Sequence, residues 1–398
     1  LFMNILNHIP KSISKLHHTI LPIGANGSYI FTESSKYLDL TSGIGALSTG
    51  HNHPKVVEKV KLQLESYVHM PQQIYKSHPI QIELTEKILK IMPNKKLDTI
   101  FYVSTGSEAT DNAIKIARNY TKKSNIISIN GGFHGRTIGA LSITSSNLNC
   151  KRGIAPLLSN TYFCSDDTKE SLDILLMFQS APEDTAAIIF ESVQGEGGVK
   201  SINQEFLKYA EKICNENNIM LIADEVQCGA FRTGSWWNFT QKNIEPDIIT
   251  FAKGIGSGYP IAGVVSSSEI MNNLSPGLLG GTYGGNAISS AAASATIDVL
   301  NNPVLQQNVT EYGTYINNAL KDLELIQEIR QYGLMIGIQF KDTITSDIVN
   351  KLRDRNILVL VAGNKNQYIR ILPPLTIKKQ EIDIFLYELR YILNNYRK

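Results

Sequence analysis

The chain has few cysteines: Cys150, Cys164, Cys214 and Cys228 in 398 residues. That is too few for a disulfide scaffold, and the spacings form neither a Cys-x-x-Cys redox pair nor a zinc knuckle. A reducing compartment such as the cytoplasm suits it. An excess of one charge is also missing. Lys and Arg total 38 against 36 Asp and Glu, a net +2, so no field points to nucleic acid or to a membrane surface. No apolar run approaches the ~20 residues a bilayer needs; Ile219–Ala223 is representative. The opening segment, LFMNILNHIPKSISKLHHTILPIG, has no acidic residue before Glu33. Transit peptides share that trait, which makes the mitochondrial matrix the alternative location, but the segment also lacks arginine. It has no compact apolar core followed by a small-residue cleavage site, so a secretory signal is not expected. Met3 is a candidate natural start. No period of 20–50 residues repeats, which excludes solenoids and propellers.

What is present is a globular composition: 42% hydrophobic and 19% charged residues, enough apolar surface for a core. From about residue 80, apolar runs alternate with helical patterns. The runs are DTIFYVS (98–104), NIISIN (125–130), AAIIFES (186–192), NIMLIAD (218–224) and DIITFAK (247–253), with helices predicted over Glu108–Tyr120 and Gln204–Asn217. Runs that are wholly apolar are the mark of parallel strands covered on both faces. The fold class is therefore α/β, with a large, doubly wound, mainly parallel sheet over 46–287. After Ile288 an Ala-rich helix leads into LMIGIQF, ILVLVAG and YIRILPP, the strands of a smaller α+β domain over 288–398. Residues 1–45 read as a helix and a hairpin that pack with this smaller domain.

Ligands of open α/β sheets bind beyond the carboxyl ends of the strands. Three features stand there. Thr105-Gly106-Ser107-Glu108 opens a helix whose free N–H groups can hold an anion, although a well-capped helix start would look the same. It is neither a Walker loop nor a GxGxxG fingerprint. Asp224 ends an apolar strand, as a helix cap or as the partner of a buried cation. Lys253 is followed by Gly254-Ile255-Gly256-Ser257-Gly258; a lysine in a dry, glycine-flanked pocket loses charge and becomes a nucleophile. Asp224 and Lys253 are 29 positions apart, 253 − 224, about one βαβ unit, which places them on neighbouring strands at one edge. A carboxylate, an amine and an anion cradle are what pyridoxal phosphate requires.

At these residues the chain resembles the class III aminotransferases of the pyridoxal-phosphate fold type I superfamily. The matching segments are LDLTSGIGALSTGHNHP (38–54), STGSEATDNAIKIAR (104–118), GGFHGRTIGALSIT (131–144), FESVQGEGGV (190–199), LIADEVQCG (221–229), EPDIITFAKGIGSGYPIAG (245–263), GTYGGN (281–286) and IRILPPLTI (369–377). Within the class, it is most similar to 4-aminobutyrate aminotransferases. The resemblance implies pyridoxal 5'-phosphate as cofactor and Lys253 as its imine-forming lysine and proton shuttle. It implies Asp224 as partner of the ring nitrogen and Gln227 as partner of the ring's phenolic oxygen. Gly106 and Ser107 would form the phosphate cradle, and Phe133 the stacking plate with His134 beside it. Thr282 would reach the phosphate of a neighbouring subunit, which implies a homodimer with shared sites. For substrate, Arg136 matches the arginine that grips the carboxylate of an ω-amino acid. Arg370 matches the one that grips the α-carboxylate of glutamate or 2-oxoglutarate, and Glu196 the switch residue that pairs with Arg370 when the donor lacks that group. Ile44 stands where ornithine aminotransferases carry a tyrosine, and Gln73 is a candidate at the pocket edge.

The implied reaction moves an amino group from an ω-amino acid to a 2-oxo acid. N-acetylornithine is the alternative donor, and a silent cofactor-binding homologue with a regulatory role is the alternative of another class. One departure stands out: after the aspartate strand the family pattern Gly-Phe-Gly-Arg-Thr-Gly is replaced by Gly229-Ala230-Phe231-Arg232-Thr233-Gly234. If the chain turns left-handed there, Phe231 is strained. The early histidines, His8, His17, His18, His51, His53, His69 and His78, match no zinc spacing and are expected to be structural.

Overall fold

The computed structural model describes His8, Pro10, Ser12, Ile13, Leu16, His17 and residues 19–396. Met3, His18 and most of the expected N-terminal helix lie outside the described residues.

The five apolar runs form strands Thr99–Val103, Asn125–Ile129, Thr185–Phe190, Met220–Asp224 and Ile248–Phe251. With Thr161–Cys164 and Ala262–Ser266 they build one seven-stranded sheet in the order 99–103, 262–266, 248–251, 220–224, 185–190, 125–129, 161–164. All neighbours run parallel except at Ala262–Ser266, which is antiparallel to both of its partners. The apolar pattern follows from cover on both faces. Ile126, Ala187, Ile189, Ile222 and Ile248 pack with Ala109, Ala113 and Ile116 of the helix Gly106–Thr121. Ile127, Ile188, Phe190, Leu221 and Ile249 pack with Phe206, Leu207 and Ala210 of the helix Gln204–Asn217 on the other side. The lysine strand is shorter than expected. It ends at Phe251, and Lys253 begins a 3₁₀ turn with φ +39°.

The remaining chain forms smaller sheets. Gly24–Asn26, Tyr29–Phe31 and Lys36–Asp39 join Ile357–Leu358, and Ile357 and Leu358 pair in parallel with Leu38 and Asp39. A second sheet runs Ile326–Tyr332, Met335–Phe340, Tyr368–Ile371, Leu360–Ala362. Ile326–Tyr332 escaped the sequence reading because IQEIRQY mixes polar and apolar residues and is mostly half-buried. The Ala-rich helix Ala287–Leu300 sets Ala292 and Ala295 against Val56 and Val60, and Ala287 and Ala291 against Ile80. The small side chains let these helices approach closely. Among the described residues no helix is long and apolar enough to cross a membrane.

The turn after the aspartate strand is left-handed at two non-glycine residues, Ala230 (φ +53°) and Phe231 (φ +64°). Surrounding contacts hold them there. The Phe231 ring meets Trp236 edge-on at 5.9 Å, and buried Arg232 donates to the carbonyls of Leu334 and Pro373. At an ordinary φ, alanine is more stable than glycine; at a positive φ the order reverses by about 1 kcal/mol. Phe231→Gly should therefore be about 1 kcal/mol more stable than Phe231→Ala in urea unfolding, although both lose the ring. The opposite order would contradict the left-handed turn.

Candidate active site

The parallel register sets Asp224 beside Thr250 on adjacent strands. Asp224 is buried. Its Oδ2 lies 2.7 Å from His134 Nδ1, and its Oδ1 accepts Val226 N–H at 3.1 Å and the Thr250 hydroxyl at 3.2 Å. His134 is fixed in turn: its N–H donates to Thr144 Oγ1 and its carbonyl accepts the Thr110 hydroxyl. Its Nε2 is buried without a partner.

The Lys253 amine makes no hydrogen bond among the described residues. Burial pushes its pKa down, countered by Glu196 and Glu191 and reinforced by Arg370. The result favours a neutral amine, the form that attacks a carbonyl or accepts a proton. Gly254 fits where a Cβ would come within 2.9 Å of Ala230 Cβ, and the Ser48 hydroxyl caps its carbonyl.

The anion cradle is the start of the helix Gly106–Thr121. Thr105 and Glu108 form a capping box, which leaves the N–H groups of Gly106 and Ser107 free. A Cβ at Gly106 would lie 2.8 Å from Val226 Cγ1. Ser107 Oγ accepts the Arg136 N–H at 3.0 Å. Half-buried Phe133 follows the Asn125–Ile129 strand, with the Arg136 guanidinium 5.8 Å from its ring centroid.

Arg370 lies on the Tyr368–Ile371 strand and is 2% exposed. Its Nη2 is 2.8 Å from Glu196 Oε1, its Nη1 donates to Gln227 Oε1 at 2.9 Å, and its Nε is buried without a partner. Burial alone would raise the Glu196 carboxyl, but the Arg370 charge and hydrogen bond outweigh it, and the net shift is downward; Lys253 and Arg136 act in the same sense. Gln227 thus holds Arg370 with its oxygen, which leaves its amide for a ring oxygen.

Three expected residues stand apart. Thr282 is exposed and lines a cavity of about 370 Å³ with Ser104, Glu108 and Asp111. Gln73 is also exposed and donates to the Gly281 carbonyl, so these two loops are tied together. Ile44 is half exposed, on a left-handed turn (φ +64°). Three of the early histidines serve as hydrogen-bond partners: His51 to Asp39, His17 to the Val359 carbonyl and His78 to the Gly285 carbonyl.

Two buried carboxyls escaped the sequence reading. Glu191 accepts the Phe133 N–H at 2.8 Å and the Gly195 N–H at 3.3 Å. Glu225 accepts the N–H groups of Asn238 and Phe239 at 2.8 and 2.9 Å. Burial pushes each up to about 7. The available signal was a carboxyl closing an apolar strand, the same signal that singled out Asp224.

The sequence profile of the class-III aminotransferases matches residues 13–393. The chain is a class III aminotransferase. It is 36% identical to the 4-aminobutyrate aminotransferase GabT of Escherichia coli, over 94% of this chain and 93% of that protein. It is 35% identical to the 5-aminovalerate aminotransferase DavT of Pseudomonas putida, with the same coverage. An acetylornithine aminotransferase of Bacillus cereus is 36% identical over 93% of each chain. The ornithine aminotransferase of Toxoplasma gondii superposes with a TM-score of 0.90 at 25% identity, covering 100% of this chain and 94% of that one.

The aminotransferase depends on pyridoxal phosphate, and its residues fit that group. The free cradle amides suit a phosphate, the unpaired amine a carbonyl, and the buried Asp224 a protonated ring nitrogen. When bound, the cofactor supplies an aldehyde that captures amines and a ring that spreads the electron pair left by a departing proton. With the group bound, the Lys253 amine would hold and return that proton, the hydrogen bond from His134 would keep the Asp224 carboxylate aimed, and Phe133 would exclude water from one face.

Three outcomes follow from this geometry. Borohydride reduction and peptide mapping should place a pyridoxyl group on Lys253, and Lys253→Ala should lose it while folding normally; a label on another lysine would overturn the assignment. Asp224→Asn should keep its melting temperature yet lose at least about a hundredfold in turnover; near-normal turnover would reduce Asp224 to a cap for Val226. The third outcome concerns Glu225. A carboxyl raised from 4.5 to about 7 in the fold gives stability that is complete below pH 4.5 and lost as pH rises through 7. The stability advantage of the native chain over Glu225→Gln should fall between pH 5 and 8, on the order of 2–3 kcal/mol. A constant difference in denaturant unfolding would contradict it.

Proposed function

We propose that this aminotransferase moves the amino group of an ω-amino acid, 4-aminobutyrate first, to 2-oxoglutarate, giving a semialdehyde and glutamate by a ping-pong route. The observation that carries the reading is the buried Arg370 paired with Glu196. A site that takes a donor with one carboxylate and then an acceptor with two must hold a second cation without leaving it unpaired, because an uncompensated buried charge costs several kcal/mol. Glu196 satisfies Arg370 while the donor reacts, and it moves aside when an α-carboxylate arrives. Glu196 is suited to move: its side chain is 32% exposed against 2% for Arg370. Exposed Arg136, beside Phe133 at the mouth, is the grip for the donor's single carboxylate, which the planar guanidinium binds bidentately. The 4-aminobutyrate and 5-aminovalerate enzymes among the relatives act on donors of this shape.

N-acetylornithine is the second reading, favoured by acetylornithine aminotransferases of similar identity. The intact Lys253, Asp224, Gln227 and Arg370 weigh against a silent homologue. A homodimer with shared sites is part of the proposal. Thr282 and Gln73 are held out on loops whose neighbours Ile74 and Tyr283 are 73% and 65% exposed, an apolar face that a second copy would cover and that would carry Thr282 to the partner's cradle. Four free cysteines suit the cytoplasm.

Single-turnover kinetics of the two half-reactions test the assignment. Arg370→Ala should weaken 2-oxoglutarate by on the order of 2–4 kcal/mol and disturb the 4-aminobutyrate half-reaction far less. Arg136→Ala should show the reverse, and Glu196→Ala should shift preference toward donors bearing an α-carboxylate. Equal damage by Arg370→Ala to both halves would end the switch reading. A donor panel of 4-aminobutyrate, 5-aminovalerate, N-acetylornithine and ornithine ranks the substrates.

A further inference from the structure

Glu191 ends the Thr185–Phe190 strand and is 4% exposed. Its two oxygens serve two separate stretches of backbone. Oε1 receives the N–H of Phe133, beside the His134–Asp224 pair, and Oε2 receives the N–H of Gly195, at the start of the loop that carries Glu196. Gly195 has no room for a side chain. A Cβ there would fall on Gln227 Oε1 and approach Met335 Cε to 3.0 Å. That same Gln227 oxygen receives Arg370 Nη1 at 2.9 Å. The contacts form one unbroken series: Phe133, Glu191, Gly195, Gln227, Arg370, Glu196.

We propose that Glu191 is a positioning residue that sets the direction of the Arg370 guanidinium, by fixing the Gly195 backbone against which Gln227 rests. The proposal deepens the reading above, since it rests on Arg370 receiving the α-carboxylate of the acceptor. The requirement for a carboxyl group, with lone pairs on both oxygens, is chemical. Two amide donors in a space closed to water need two acceptor oxygens, and a buried donor left unpaired is expensive. Glutamine has the same shape but only one oxygen, so one of the two amides would face an N–H group. The Gly195 bond, the longer of the two, is the one expected to yield.

The test uses Glu191→Gln and, as an independent perturbation, Gly195→Ala, which keeps the carboxylate and displaces Gln227 directly. In the cofactor-free chain, Glu191→Gln should speed hydrogen exchange at least about tenfold in the peptide covering 193–197. In the loaded enzyme, both variants should raise the apparent KM for 2-oxoglutarate about tenfold, a larger effect than on the 4-aminobutyrate half-reaction, where Gly195→Ala costs more than Glu191→Gln because Gln227 also faces the ring oxygen. The double variant should be no worse than Gly195→Ala alone, because both act through Gln227. If Glu191→Gln does not fold, the same KM split in Gly195→Ala decides the matter. Unchanged exchange at 193–197, an unchanged KM for 2-oxoglutarate, or equal loss in both half-reactions would overturn the proposal. A native chain that takes no 2-oxoglutarate would overturn the acceptor reading as well, whereas one that takes it while the variants keep its KM overturns the role of Glu191 alone.

Discussion

Asp224 is a carboxylate taken out of water at the end of a central strand, and the arrangement around it answers the cost of that burial. A charge in such a place is tolerated only when hydrogen bonds and an opposite charge replace its hydration. Val226, Thr250 and His134 supply the hydrogen bonds, and on the proposed assignment the cofactor's ring nitrogen would supply the opposite charge. The neighbouring carboxyls follow the same rule. Glu191 and Glu225 sit within the field of Asp224, which, added to burial, pushes them toward the protonated state. One anion is thereby kept where the chemistry needs it, and two nearby acids are free to hold backbone.

Much of this was legible in the sequence because the strands are buried on both faces. Continuous apolar runs located five strands of the main sheet, and a carboxylate or lysine just beyond such a run has few structural uses. The 29-residue interval between Asp224 and Lys253 translated into adjacent strands in part: Asp224 pairs with Thr250, and Lys253 follows in the turn beyond Phe251. Elements with mixed polarity were missed. Ile326–Tyr332 shows no period of two, and nothing in IQEIRQY outweighs its charged residues locally. Glu191 lay in view within FESVQGEGGV, but its role depends on amides 58 and 4 positions away in sequence, which no spacing rule exposes. Phe231 was readable as an anomaly, and the positive φ explains why glycine suits that point.

On the proposed reading, the two halves of the substrate problem fall to different kinds of structure. Arg136 is exposed and follows a glycine-rich loop, where a guanidinium can follow its ligand. Arg370 is anchored on a strand paired on both sides, to Gly337 and to Leu360, so its fork has little freedom. Discrimination between one and two carboxylates would then fall to Glu196, the more exposed partner of a fixed charge, which is less costly than moving a strand.

Gly195 carries an evolutionary consequence. Its constraint is one of space, because the atom that would collide with a side chain belongs to the residue that steadies Arg370. Every amino acid that a single base change can make from a glycine codon bears a Cβ, so each one-step path away from this position displaces Gln227. A lineage that replaces Gly195 without loss would change residue 227 first and residue 195 afterwards. The order of substitutions, and not only their identity, is written into the packing at this point.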